Sequence, residues 1–147
     1  MWLNVFPTEQ IQYSKFEKME KRNPIEEARR HISDANEILK ERAIRDGDYY
    51  TDSKYINIAG HTLWTGCLIA LDYALNIKKP KKGRLDIKDY QMAASRKGKK
   101  LTTLLTSGYN VMHLSMSYDG EKSYVIVKIG TETANKIVDW CEAKTNK

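Results

Sequence analysis

The sequence has few residues that could cross-link the chain and no segment that could anchor it in a membrane. Its two cysteines, Cys67 and Cys141, have no Cys-x-x-Cys or Cys/His ligand spacing and lie among apolar residues. We therefore predict buried free thiols, with no disulfide and no zinc site. His31 and Asp34 are one helical turn apart, which suits two metal ligands but is more typical of a surface pair. No run of about 18 apolar residues and no basic segment before an apolar run occurs. We expect a cytoplasmic protein that is not in a membrane and uses no metal or cofactor.

The length of 147 residues is typical of one domain, and no Pro-, Gly- or Ser-rich linker divides it. We expect residues 1–22 to form a flexible N-terminal arm and residues 23–147 to form a single helical-bundle domain. Because Met19 stands just before the first helix start, an alternative is that residues 1–18 are not natively translated.

Capping residues and apolar spacing predict the first three helices. Asn23-Pro24 begins the first helix, because asparagine caps free amides and proline fits the first turn, and Asp46-Gly47 is expected to end it. The second and most apolar helix is predicted over about residues 52–76, at the centre of the core, and the third over about residues 87–96. The second helix is expected to bury Tyr55, Ile58, Ala59, Leu63, Cys67, Ala70, Leu71 and Ala74.

The last third of the sequence is compatible with two structures. A fourth helix is predicted over residues 101–116, with Gly108 as a close-packing point or a break. Residues 115–127 could then form a β-hairpin or two helices joined at Asp119-Gly120. We favour the helices because residues 131–143 are clearly amphipathic, and we expect one face to carry Val125 or Ile126, Ile129, Ala134, Ile137, Val138 and Cys141. The expected fold is all-α, an up-and-down antiparallel bundle of four to five helices.

The segments Glu26–Leu39 and Tyr55–Leu75 resemble the first two helices of the HEPN-like helical bundles, a family that includes small bacterial proteins. Residues Tyr109–Tyr118 and the helix after them resemble a later part of these bundles. Ribonuclease members of that family place an arginine four to six intervening residues before a histidine, and no histidine of this sequence has one. The resemblance therefore implies a non-catalytic member that binds a partner, a nucleotide or a nucleic acid, and we expect no enzyme activity.

Positive charge is concentrated in the middle third of the sequence. Residues 51–100 contain 11 Lys/Arg and 4 Asp/Glu, whereas the whole chain has a net charge of +6. Pro80 and Gly83 exclude a helix, so residues 78–84 are expected to form an exposed basic loop. Such a loop attracts RNA or another polyanion, with Tyr90 as a stacking platform, although lysine-rich loops also serve solubility alone. The predicted binding residues are Lys78, Lys79, Lys81, Lys82, Arg84, Arg96, Lys97, Lys99 and Lys100.

Large apolar side chains on the predicted helix faces allow a second class of function. Core packing explains Trp64, Trp140, Met112 and Met116. If some of them were exposed, they would mark the interface of a homodimer or of a complex with a protein partner. The protein would then be an interaction protein with no nucleic-acid role.

Overall fold

The structure, a computed structural model, describes residues 22–146. Within this range the chain forms five α-helices, two π-helical segments that continue helices, and one two-stranded antiparallel sheet. They are α1 (Pro24–Ile38), π1 (Leu39–Ala43), β1 (Arg45–Asp46), β2 (Tyr49–Tyr50), α2 (Ser53–Leu75), α3 (Ile87–Lys97), α4 (Lys99–Gly108), π2 (Tyr109–Tyr118) and α5 (Tyr124–Thr145). The predicted all-α bundle is confirmed. The predicted N-terminal arm, apart from Arg22, lies outside the described residues.

The predicted helix ends at the capping residues are confirmed. The Asn23 side chain accepts a hydrogen bond from the amide of Ile25 at 2.6 Å and starts α1. Asp52 caps α2 in the same way, and Asn76 ends that helix in the left-handed conformation, with φ of 48°. Asp86 opens α3 through a reciprocal capping box with Asp89. These ends depend on neighbours in sequence, which is why the local pattern predicts them.

The predicted end of the first helix is wrong. Helical structure stops at Ala43, and Ile44 takes a positive φ of 51°. Asp46 is instead the last residue of β1 in a short hairpin, where it pairs with Tyr49, and Gly47 begins the turn. An Asp-Gly pair suits a hairpin turn as well as a helix end, so the local signal did not distinguish the two.

The favoured helical structure of the last third is confirmed, and the β-hairpin considered there is wrong. The chain stays helical to Tyr118, turns at Asp119-Gly120 and enters α5 at Tyr124. The Asn57 side-chain amide donates to the carbonyls of Met116 and Ser117, at 3.1 and 2.9 Å. This contact from α2 satisfies the free carbonyls at the end of π2.

Helix α2 lies at the centre and packs against α1, α5 and π2. Because it is buried on several sides, both Ile56 and Gly60 are buried. Ile58 was predicted to be buried, but it is 41% exposed. Along α5, Ile129 is also exposed, contrary to the prediction, and of the two alternatives Val125 and Ile126 it is Ile126 that is half-buried. The inward face of α5 is formed by Val127, Gly130, Thr133, Ala134, Ile137, Val138 and Cys141.

Glycines permit the closest helix contacts. A Cβ on Gly60 would lie 2.5 Å from the Cβ of Met116, and one on Gly108 would lie 2.8 Å from the Met112 Cε atom. Gly108 is therefore a close-packing point and not a break. Met112 and Met116 are fully buried, as core packing predicts, and Trp64 is 6% exposed. Trp140 is half-buried against the core.

The contacts also define two ends of the bundle. Gly60 packs on Met116 and Trp64 lies beside Gly108, so α4 and π2 run antiparallel to α2. The end of α2 and the start of α4 therefore lie toward the same end of the bundle, here called the basic end. At the other end, the hairpin end, the Tyr124 amide donates to the carbonyl of Asp48 and joins the hairpin to the start of α5.

Candidate functional sites

The basic loop follows α2 directly and is exposed, as predicted. All nine predicted binding cations, in the loop and in the turn between α3 and α4, are solvent-exposed. The ion pairs within residues 22–146 involve Arg22, Arg29 and His31, and none of the nine cations takes part in them. Their charge is therefore available to a ligand.

The two basic clusters lie at the same end of the bundle. The loop continues from the last turn of α2, and Arg96–Lys100 leads into the first turn of α4, which begins beside that end. Helix α3 connects the clusters, and its 11 residues span about 16 Å at 1.5 Å per residue.

The start of α4 adds to the positive potential. Gly98, with φ of 124°, precedes the helix, and no side chain caps its free amides. The first turn contains Lys99 and Lys100 and no acidic residue. Because a helix N-terminus carries partial positive charge, cations there are unfavourable for the helix itself. An anion at this position would be stabilised by both the amides and the lysines.

Tyr90 does not act as a stacking platform, so that prediction is wrong. Its side chain is 5% exposed, and its hydroxyl donates to the Asp72 carboxylate at 2.6 Å. Burial and the neighbouring Asp72 raise the pKa of Tyr90. The bond anchors the first turns of α3 to the last turn of α2. A cleft of about 390 Å³ remains beside it, with Lys79 and Arg84 on its rim.

A cluster of rings surrounds His113 on π2, which the sequence did not indicate. The His113 ring centroid lies 5.2 Å from those of Tyr109 and Tyr118 and 6.0 Å from that of Trp64. Its Nδ1 atom is buried and has no hydrogen-bond partner within residues 22–146. Burial, followed by the nearby His61, lowers the pKa of His113. These contacts favour the neutral imidazole.

The π-helical geometry produces this cluster. His113 and Tyr118 are five positions apart, a spacing that an α-helix would place on different faces and a π-helix, with its i to i+5 bonds, brings together. The Ser115 hydroxyl bonds to the carbonyl of Asn110 over the same interval. No residue type in the sequence predicts a π-helix of this length, since contacts with α2 and α5 determine it.

The described residues 22–146 contain no group of three or more His, Cys, Asp and Glu side chains placed to hold a metal ion. His31 bonds through Nδ1 to the carbonyl of Glu27, at 2.9 Å, and its ring also approaches the Glu27 carboxylate at 3.7 Å. Cys67 and Cys141 are free and buried, as predicted. Burial raises the pKa of Cys141 to about 12 and also raises that of Cys67, so neither is a reactive thiolate.

The family model described as a domain of unknown function (DUF5618) matches residues 23–143. The chain belongs to this family. Among solved structures, it is similar to a protein of unknown function from Dyadobacter fermentans, with 37% identity and a TM-score of 0.77. That match covers 82% of this chain and 94% of the other chain. No curated protein matches the chain. Among the residues described, no helix is long and apolar enough to cross a membrane.

Proposed function

We propose that the protein is a non-catalytic, cytoplasmic binding module whose basic end holds a polyanion, with single-stranded RNA as the first candidate. The observation that carries this proposal is the position of two basic clusters, nine cations in all, at one end of the bundle. All nine are exposed and outside the ion pairs of residues 22–146. Neutralising several phosphates with such side chains releases counterions, which is the main source of non-specific affinity for nucleic acid.

The positions of two of the lysines favour a ligand-binding role over a role in solubility alone. Lys99 and Lys100 stand in the first turn of α4, where the helix dipole opposes them, each at a cost of about 0.3–1 kcal/mol. Dispersed surface lysines would serve solubility without this cost. A bound phosphate would convert the unfavourable interaction into a favourable one, because the amides and the lysines would both face an anion.

The dimensions of the basic end suit a short stretch of nucleic acid. The two clusters are separated by the length of α3, about 16 Å. At a rise of about 3.4 Å per nucleotide, this distance corresponds to about five nucleotides of one strand. Because Tyr90 is buried, binding would rest on phosphate contacts, with little preference among bases.

The binding role is proposed as non-catalytic for two reasons. The sequence lacks the arginine-to-histidine spacing of the ribonuclease members of the HEPN-like bundles. His113 lies among aromatic rings on π2, remote from the cations of the basic end along the bundle. Membership of the HEPN-like group is part of the same proposal and rests on the helical pattern alone.

Fluorescence anisotropy of labelled single-stranded RNA, titrated at about 50 and 200 mM salt, tests the proposal. For a single strand, the logarithm of the binding constant falls with the logarithm of the salt concentration, with a slope of about −0.7 per phosphate contact. Five contacts therefore predict an affinity loss of roughly 100-fold between the two salt concentrations. Replacing Lys78, Lys79, Lys81, Lys82 and Arg84 with glutamine should weaken binding and flatten this salt dependence. The matched control carries the same charge change away from the basic end, at Arg30, Arg42, Lys54, Lys122 and Lys136. No binding at low salt, or equal affinities of the two variants, would contradict the proposal.

A homodimeric or hetero-complex interaction protein with no nucleic-acid role is the alternative. One observation favours it: Val125 and Ile129, one turn apart on α5, are 60% and 39% exposed. Sedimentation equilibrium at micromolar concentration should then detect a dimer that Val125→Asp dissociates. A monomer at all concentrations, together with no partner, would exclude this alternative.

A further inference from the structure

A second charged cavity lies at the hairpin end, about as far from the basic end as the bundle allows. It has a volume of about 390 Å³ and opens between the end of α1, the hairpin and the start of α5. Its walls include three cations, Lys40, Arg45 and Lys128, and two aromatic rings, Tyr50 and Tyr124. No carboxylate is among its lining residues. The charged groups that line the cavity are therefore all positive.

Arg45 is held in position before any ligand arrives. Its guanidinium lies 3.4 Å from the centroid of the Tyr124 ring, and its Nε–H donates to the carbonyl of Gly47 at 2.7 Å. No ion pair involves Arg45 within the described part of the chain. Stacking and one hydrogen bond therefore orient the guanidinium, while its terminal amino groups stay available for an anion.

The backbone keeps the walls of the cavity together. The Tyr50 amide donates to the carbonyl of Lys122 at 2.8 Å, and the Tyr124 amide donates to that of Asp48 at 2.9 Å. These two bonds join the hairpin to the start of α5. Lys128 follows one turn after Tyr124 and faces the same cavity. The site is built on regular elements, which hold a binding geometry more firmly than a free loop does.

The backbone beside the cavity is strained at one residue, Ile44. Ile44, immediately before Arg45, has a φ of 51°, a conformation that β-branched residues avoid. The preceding turn is the π-helical segment π1, which contributes Leu39 and Lys40 to the cavity. Strained residues and short π-helical segments are frequent at functional sites. Here they turn the chain so that Arg45 reaches the ring of Tyr124.

From this arrangement we infer that the hairpin end binds the phosphate group of a small phosphate monoester. Three cations suit a phosphate group with two negative charges better than a carboxylate group with one. An oriented guanidinium can also bind two phosphate oxygens at once. Tyr50 and Asn36, both polar residues, also line the cavity. The volume lies in the lower part of the usual range for small-molecule sites, roughly 300–1,000 Å³.

Isothermal titration calorimetry with adenosine monophosphate, inorganic phosphate and adenosine tests the inference. We expect saturable binding of the monophosphate and of phosphate, and none of adenosine. Arg45→Lys keeps the charge but loses the planar fork, and should weaken monophosphate binding at least tenfold. Lys128→Gln should weaken it severalfold, whereas Lys136→Gln, the same change two turns further along α5, should leave it unchanged.

The same titration separates this site from the basic end. The variant with five glutamines in the basic loop should bind the monophosphate as the unaltered protein does. Loss of binding in that variant with retention in Arg45→Lys would overturn the inference, as would binding of adenosine as tight as that of the monophosphate. Circular dichroism checks that each variant is folded. If Arg45→Lys is unfolded, equal affinities of Lys128→Gln and Lys136→Gln overturn the inference on their own.

Discussion

Replacing Gly60 with alanine tests the closest contact between α2 and π2. A Cβ at this position would lie 2.5 Å from the Cβ of Met116, 2.7 Å from the amide nitrogen of Ser117 and 2.8 Å from the carbonyl oxygen of Met112. Two of these three neighbours are backbone atoms of a helical segment. They cannot move away as the end of a flexible side chain can, so α2 and π2 must separate.

The expected magnitude is a balance of two opposing terms. Alanine is favoured over glycine in a helix by about 1 kcal/mol. Overpacking a well-packed core costs about 1–3 kcal/mol and occasionally more. Because backbone must shift, we expect a cost at the upper end, and the net loss in the free energy of unfolding is about 2 kcal/mol. For a chain of this size that loss corresponds to a decrease in Tm of about 4–8 °C.

Thermal unfolding followed by circular dichroism measures this change. Thr103→Ala is the matched control, because Thr103 is exposed on α4 and the substitution changes helix propensity without adding a contact. It should leave Tm unchanged or raise it slightly. If Gly60→Ala is as stable as the unaltered protein, the reasoning from the close contact is refuted.

Two further predictions follow from buried groups. The pKa of His113 is lowered in the folded protein, chiefly by burial, so the unfolded chain takes up its proton first as the pH falls. His113 should therefore support full stability above about pH 6.5 and lose it as the pH falls through the folded pKa. Tm should decrease between pH 8 and pH 5, and His113→Phe should reduce this decrease; an equal decrease in both proteins would contradict the assignment. Cys67 and Cys141 should react with a thiol reagent at the rate of unfolding, and rapid reaction of the folded protein would show that they are accessible.

The helix boundaries were predictable because their causes are local. Asn23, Asp52 and Asp86 each cap amides within a few residues of themselves. The exposure of the basic loop was predictable for the same reason, since Pro80 and Gly83 exclude a helix and charged side chains favour water. The polyanion ligand of that loop stays a prediction, as does the resemblance to HEPN-like bundles.

Two Asp-Gly pairs illustrate where local reasoning stops. Asp46-Gly47 was predicted to end a helix and instead leads from strand β1 into a hairpin turn, whereas Asp119-Gly120 joins two helices. The dipeptide is the same, and the difference comes from what lies beside it. Strand β2 is held by the carbonyl of Lys122 from a distant part of the chain. At Asp119-Gly120 the side chain of Asn57, from a distant part of the chain, adds hydrogen bonds to the carbonyls of Met116 and Ser117 at the end of π2.

The amino-acid sequence by itself determined the helical class, most helix ends and the basic character of residues 78–100, because these follow from capping, periodicity and composition. Tertiary structure decided that the two basic clusters share one end, that Tyr90 is buried on Asp72, and that Arg45 stacks on Tyr124. The partners in the last two contacts are 18 and 79 positions apart in the sequence. Such pairs meet only after the helices have packed. Helix packing depends on the shape and volume of the side chains at every contact, and no local pattern of residues encodes these contacts.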